Sequence, residues 1–167
     1  ETLLPDSEKV VVARTGYSGE LGFEIYAPNS KIVKIWNELL SVSSDIQPVG
    51  LGCRDSLRLE MGYCLYGNEL NEETSTVEAG LSWITKYDTD FIGSKSIKDN
   101  ISKRLIAIST DARAIPRSGY KLFSMQEKEI GIITSGGMSP SLKKGIALAY
   151  VDKEFKNEVS LITNFGW

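Results

Sequence analysis

The chain contains no histidine. Ser-His and Cys-His nucleophilic pairs, and metal sites built on imidazole, are therefore excluded within it. Any proton transfer falls to Asp, Glu, Lys or Tyr. Cysteine is almost as scarce: Cys53 and Cys64 are the two present. They do not make a zinc site, no metal is expected, and the pair reads as buried free thiols rather than a disulfide. No apolar run approaches the ~18 residues that a membrane-spanning helix needs, and no signal-peptide pattern is visible, so no membrane association is expected. An excess of positive charge is missing too. Lys and Arg number 19 against 22 Asp and Glu, for a net charge of -3. That balance argues against a nucleic-acid binder, which is usually basic, and leaves room for a local basic pocket.

What is present is ordinary for a globular protein. The 167 residues are 41% apolar and 25% charged, enough for one domain or two small ones. The first residue is Glu1 rather than Met, and strand-like sequence begins almost at once, so residues upstream are expected.

Residues 9–14 are rich in valine and read as a strand. Thr15-Gly16-Tyr17-Ser18-Gly19-Glu20 follows as a turn, and residues 21–27 alternate. Leu21, Phe23 and Ile25 point one way, while Glu24 and Tyr26 point the other. The pair reads as a hairpin that presents a carboxylate opposite its apolar face. Pro28, Asn29 and Ser30 open a helix with Ile32, Val33, Trp36, Leu39 and Leu40 on one stripe, and Trp36 is expected in the core. Residues 47–52 read as a loop and residues 55–61 as a second helix ended by Gly62 in the left-handed conformation. Residues 63–69 form a glycine-containing turn, Ser75 to Glu78 fits a capping box, and residues 81–85 read as a strand.

Past the polar stretch 86–91 the pattern changes. Residues 104–109, 119–123, 129–135, 145–151 and 159–165 are strand-like and separated by Pro, Gly and Ser, the spacing of an all-β barrel or sandwich. The fold class is therefore α+β: a mixed α/β segment over residues 1–88 and a small β domain over residues 89–167.

Each motif has a bland reading beside a functional one. The glycine-rich stretch 16–22 lies between two strands and has no Walker lysine or dinucleotide fingerprint, so it reads as a hairpin turn rather than a phosphate cradle. Glu24 either meets solvent or accepts two parallel hydrogen bonds from an amidine-like edge such as a 2-aminopyrimidinone. Arg54, Asp55, Arg58 and Glu60 are either a solvated face with local ion pairs or a group in which Arg54 meets an anionic ligand with its preorganised fork. The stretch 135–140 reads as a loop, with no base near enough to activate its serines. Sequence pattern alone favours the bland reading for both Glu24 and Arg54.

Taken in order, the blocks resemble one family. Gly16-Tyr17-Ser18-Gly19-Glu20 with Phe23-Glu24-Ile25 resembles the G-Y-[TS]-G-E-x-G-[FY]-E-[IV] block of glycine cleavage T-proteins, the folate-dependent aminomethyltransferases. Residues 50–60, from Gly50-Leu51-Gly52 through Arg54-Asp55 to Glu60, resemble the family's G-L-x-x-R-D-[ST]-L-R-L-E block. Leu65-Tyr66-Gly67-Asn68-Glu69 resembles its L-Y-G-[NQ]-[ED] block, and residues 131–142 its late signature.

The resemblance implies transfer of an aminomethyl group from the dihydrolipoyl arm of a partner H-protein, carried on its lipoyl-lysine, to tetrahydrofolate, with release of ammonia. It implies that Glu24 holds the pterin ring and that Arg54 is a folate-site residue, with Tyr17 and Tyr63 near the folate. It also implies that residues 1–88 are C-terminal pieces of the folate-binding domains, and that residues 89–167 are a small antiparallel, jelly-roll-like β-barrel. The family's catalytic aspartate belongs to an N-terminal segment and nothing here matches its motif, so no catalytic residue is assigned and the chain by itself is expected to be inactive. The alternative is a non-catalytic folate-binding protein of the kind that supports iron–sulfur cluster maintenance, whose K-G-C-[FY]-x-G-Q-E motif is matched only at Cys64, Gly67 and Glu69. A third is the folate half of a sarcosine or dimethylglycine dehydrogenase. A cytoplasmic location is expected from the thiols and the lack of a targeting segment.

Overall fold

The computed structural model of the protein describes residues 2–3, 9–97, 101–110, 114–155 and 162–163. They fall into two compact units, Glu1–Met61 and Gly62–Trp167. This division by compactness lies well before the change of sequence pattern near residue 88.

The first unit begins with a three-stranded antiparallel sheet in the order β1 (Thr2–Leu3), β2 (Lys9–Ala13), β3 (Glu24–Tyr26). Three successive valines give β2 the β-branched character that suits a pleated surface. Its register with β3 pairs Val11 with Tyr26, Val12 with Ile25 and Ala13 with Glu24. The second strand of this hairpin is shorter than the alternation from residue 21 suggests. Residues 17–21 bend instead, with Gly19 at a φ of 82°, and Leu21 and Phe23 stay exposed.

Helix α1 (Asn29–Val42) follows Pro28 at its N-cap, whose ring-fixed φ of -57° is already close to helical. Ile35, Leu39 and Val42 face Val10, Val12 and Ile25 of the hairpin across a groove. That row is one residue out of step with the expected stripe, and one residue turns a helix by ~100°. Trp36 is consequently not a core residue: it is 52% exposed, and α1 buries none of its side chains fully. Helix α2 (Leu51–Glu60) starts four residues earlier than the expected 55, taking in Gly52 and Cys53 after Gly50. Gly62 follows it at a φ of 69°, the left-handed stop read from the sequence. Neither cysteine is buried as the sequence suggests: Cys53 is exposed at the start of α2 and Cys64 half-buried, and neither forms a disulfide.

The second unit opens with turns and then a short 3-10 helix, Ser82–Ile84, where a strand was expected. Thr85 closes that turn by donating its amide to Ser82 and its hydroxyl to Leu81. The Ser75–Glu78 signature does not cap a helix either. Ser75 Oγ accepts the Val77 amide, but the buried Glu78 carboxylate accepts the amides of Ser102 and Lys103 instead. It ties this turn to the next strand.

Five antiparallel strands complete the unit: β4 (Lys103–Thr110), β5 (Lys121–Phe123), β6 (Glu129–Ser139), β7 (Lys144–Asp152) and β8 (Ile162–Thr163), in the order β4-β7-β6-β5-β8. All five expected runs carry a strand; part of the last, residues 159–161 and 164–165, lies outside the described residues. Leu122, Ile130, Ile133, Ala147, Ala149 and Val151 form the core. β7 is buried along almost its whole length, as a central strand covered on both faces should be.

The stretch 135–140, expected as a loop, is mostly strand. Gly136 there serves close approach rather than a turn: a Cβ on it would lie 2.5 Å from the Pro116 carbonyl oxygen, just as one on Gly131, earlier in β6, would run into the Tyr150 carbonyl oxygen. Composition cannot separate these two uses of glycine. The architecture is α+β with antiparallel sheets, as the sequence predicts.

Candidate functional site

A cavity of about 480 Å³ opens in the first unit. One wall comes from the hairpin connection and the start of β3, with Gly16, Tyr17, Ser18, Phe23 and Glu24. The other comes from the approach to α2 and its first two turns, with Val49, Gly50, Leu51, Arg54 and Leu57. Each wall is built from local sequence logic. The end of the β2–β3 ladder at Ala13 and Glu24 sets Glu24 at the mouth of the hairpin loop. Helical geometry sets Arg54 one turn into α2, on the same face as Gly50 and Leu57.

Glu24 is half-buried. The hydroxyl of Thr15 donates to its Oε2 at 2.5 Å, and among the described residues its Oε1 accepts no hydrogen bond. The Arg54 guanidinium lies over the ring of Tyr17, 4.6 Å from its centroid. Such cation–π contacts are worth roughly 0.5–1 kcal/mol at exposed sites. Among the described residues Arg54 has no carboxylate partner. The contrast with Arg58, one turn on, is direct. Arg58 is buried, and its Nε and Nη2 donate to Asp55 Oδ1 at 2.7 and 2.6 Å. The local ion pairing that the charge group suggested is thus real for Asp55 and Arg58, and Arg54 stands outside it.

Of the four residues singled out in the sequence, the cavity holds Glu24, Arg54 and Tyr17. Tyr63 belongs to the second unit and is 38% exposed. Sequence reasoning missed Thr15 as the partner of Glu24. The signal for it is weak: a hydroxyl residue two positions past the end of β2, across the hairpin from a carboxylate. It also missed the apolar lining. Phe23, Val49 and Leu51 are 67%, 67% and 84% exposed, and their meaning lies in flanking a carboxylate and a cation. Mostly apolar walls with a few placed polar groups are the usual composition of a small-molecule site. This one offers a hydrogen-bond acceptor and a fixed positive charge from opposite walls, which suits a ligand with a donor edge at one end and negative charge elsewhere. No group of three or more Cys, Asp or Glu side chains that could hold a metal ion occurs among the described residues, and no helix among them is long and apolar enough to cross a membrane.

Comparison with known proteins matches residues 5–89 to the GCVT N-terminal domain and residues 103–163 to the glycine cleavage T-protein C-terminal barrel domain. The aminomethyltransferase of Flavobacterium psychrophilum is 46% identical over 152 residues, covering 87% of this chain and 42% of that protein. The aminomethyltransferase of Halothermothrix orenii is 45% identical over 150 residues, covering 86% and 42%. The crystal structure of glycine cleavage system aminomethyltransferase T from Bartonella henselae superposes with a TM-score of 0.85 at 34% identity, over 92% of this chain and 45% of that one. The chain thus spans less than half the length of the relatives it matches.

Proposed function

The chain belongs to the glycine cleavage T-protein family, and we propose that it forms part of a tetrahydrofolate-dependent aminomethyltransferase. The observation that carries this reading is that Glu24 and Arg54, thirty positions apart in sequence, line one cavity. In the proposed reaction the longer protein takes the aminomethyl carbon from the dihydrolipoyl arm of H-protein, passes it to tetrahydrofolate and releases ammonia.

The chain's own residues bind and orient. Glu24 accepts two parallel N–H bonds from the amino-pyrimidinone edge of the pterin, a charge-assisted and directional pairing. Arg54 meets the negative charge of the folate, and the Tyr17 ring holds the guanidinium in place. Tyr63 is proposed as a further folate contact. No residue here is assigned the proton transfers or the attack of the folate nitrogen. We place the family-domain boundary at 88/89, a division supported by the two matched segments. The free thiols of Cys53 and Cys64 fit a reducing compartment such as the cytoplasm.

The test is tetrahydrofolate binding by the full-length protein. Glu24→Ala should raise the Kd at least tenfold, equivalent to about 1.4 kcal/mol. Unchanged affinity would remove Glu24 from the site and this reading with it.

A further inference from the structure

Thr15 lies two residues beyond the end of β2, outside the ladder. It is exposed and makes no contribution to the core. Its hydroxyl nevertheless makes a contact of 2.5 Å to Oε2 of Glu24, at the short end of the range for a hydroxyl donating to a carboxylate. A carboxylate can only accept, so the Thr15 proton points at Glu24. The bond uses one of roughly four lone-pair positions on the carboxylate. It leaves Oε1 and the second lone pair of Oε2 for a ligand, and restricts rotation about the last side-chain torsion of Glu24.

From this we propose that Thr15 is a positioning residue, setting the plane of the Glu24 carboxylate so that both oxygens face a ligand edge carrying two adjacent N–H donors. The inference rests on Glu24 binding the pterin edge and adds a specificity determinant to that site. The physical argument concerns preorganisation. A glutamate side chain samples many rotamers, and ordering it on binding opposes affinity. A two-point contact needs both oxygens coplanar with the ligand edge, whereas a one-point contact tolerates rotation of the carboxylate. Thr15 therefore matters more for a ligand with two donors than for one with a single donor.

The experiment measures equilibrium binding to the full-length protein of tetrahydrofolate and of its 2-desamino analogue, which lacks one of the two donors. Thr15→Val, nearly isosteric, should raise the tetrahydrofolate Kd about fivefold, and the analogue's Kd less than twofold. Thr15→Ser keeps the hydroxyl and should bind both ligands within twofold of the parent. If Thr15→Val fails to fold, Thr15→Ala carries the same comparison. An equal penalty on both ligands, no penalty on tetrahydrofolate, or failure of Thr15→Ser to restore binding would each overturn the role of Thr15. Glu24→Ala, measured in parallel, separates the two levels. If it weakens binding while Thr15→Val does not, only Thr15 is lost. If it has no effect, the folate reading fails and Thr15 with it.

Discussion

Glu69 is fully buried in the second unit, with 0% of its surface exposed. Its Oε2 accepts the Leu65 amide at 2.9 Å and its Oε1 the Thr134 hydroxyl at 2.5 Å. Its backbone carbonyl accepts the Tyr150 hydroxyl at 2.8 Å. Through these bonds the turn at residues 65–70 is fastened to β6 and β7. Glu69→Ala would strip the half-buried Leu65 amide of its side-chain acceptor, a loss at the lower end of the roughly 1–3 kcal/mol that an unpartnered buried amide costs. It would also leave a small cavity. Thr134 would fare better, because its hydroxyl already lies 3.1 Å from the Leu148 carbonyl and can turn to it.

The expected total for Glu69→Ala is about 3 kcal/mol. Glu69→Gln keeps the volume and can re-satisfy the network. Its amide oxygen would take the Leu65 N–H, and its NH2 would donate to Thr134 while Thr134 donates to Leu148. That leaves a cost of about 1 kcal/mol, the difference between a charge-assisted and a neutral bond. Urea unfolding of the full-length protein gives the two stabilities, and hydrogen exchange at the Leu65 amide gives a local readout. Equal losses for Gln and Ala, or a loss below about 1 kcal/mol for Ala, would refute the partner-counting argument.

Three further outcomes are expected. Burial pushes the Tyr150 phenol well above its ordinary range, with nearby Cys64, Glu78 and Glu69 adding to the effect. The unfolded chain then loses this proton near pH ~10 while the folded chain keeps it, so the tyrosine's contribution is intact below pH ~10 and stability falls as the pH rises beyond it. Tyr150→Phe should flatten that fall in alkaline unfolding curves, at a cost near neutrality of about 1 kcal/mol for the lost bond to Glu69. Gly131→Ala puts a Cβ against the Tyr150 carbonyl oxygen, a backbone atom of the paired strand that cannot swing away; it should cost about 3 kcal/mol, read as a shift in thermal midpoint. Arg54→Ala in the full-length protein should raise the tetrahydrofolate Kd about tenfold, whereas Tyr17→Phe, which keeps the ring beneath the guanidinium, should stay within about twofold; calorimetric titration decides both.

Much of the molecule is legible without coordinates. The valine run of β2, the punctuated strand runs of the second unit and the glycine stop after α2 are signals carried by neighbouring residues. They survive folding because periodicity and backbone preference act locally. The ordered motif blocks point to the same family that the comparisons match. The misreadings share one cause. Trp36 was expected in the core because its stripe is apolar, but which row of a helix is covered depends on what packs against it. Residues 135–140 read as loop because glycine is ambiguous, and only the approach of Pro116 to Gly136 distinguishes a close contact from a turn. The Glu78 carboxylate matched a helix cap, yet a strand start at Ser102 and Lys103 offered it better-placed amides.

The order of residues alone determined the α+β class, the missing imidazole chemistry and the family. It also determined which side chains could bear charge toward a ligand, since residue type and spacing are one-dimensional properties. Tertiary structure decided that Glu24 and Arg54 border the same cavity, that Arg54 stacks on Tyr17, and that the Thr15 hydroxyl donates to Glu24. The first two are meetings between a hairpin and a helix distant in the chain, and the third closes the hairpin's own loop. Their geometry comes from how β2, β3, α1 and α2 pack, which no local pattern encodes.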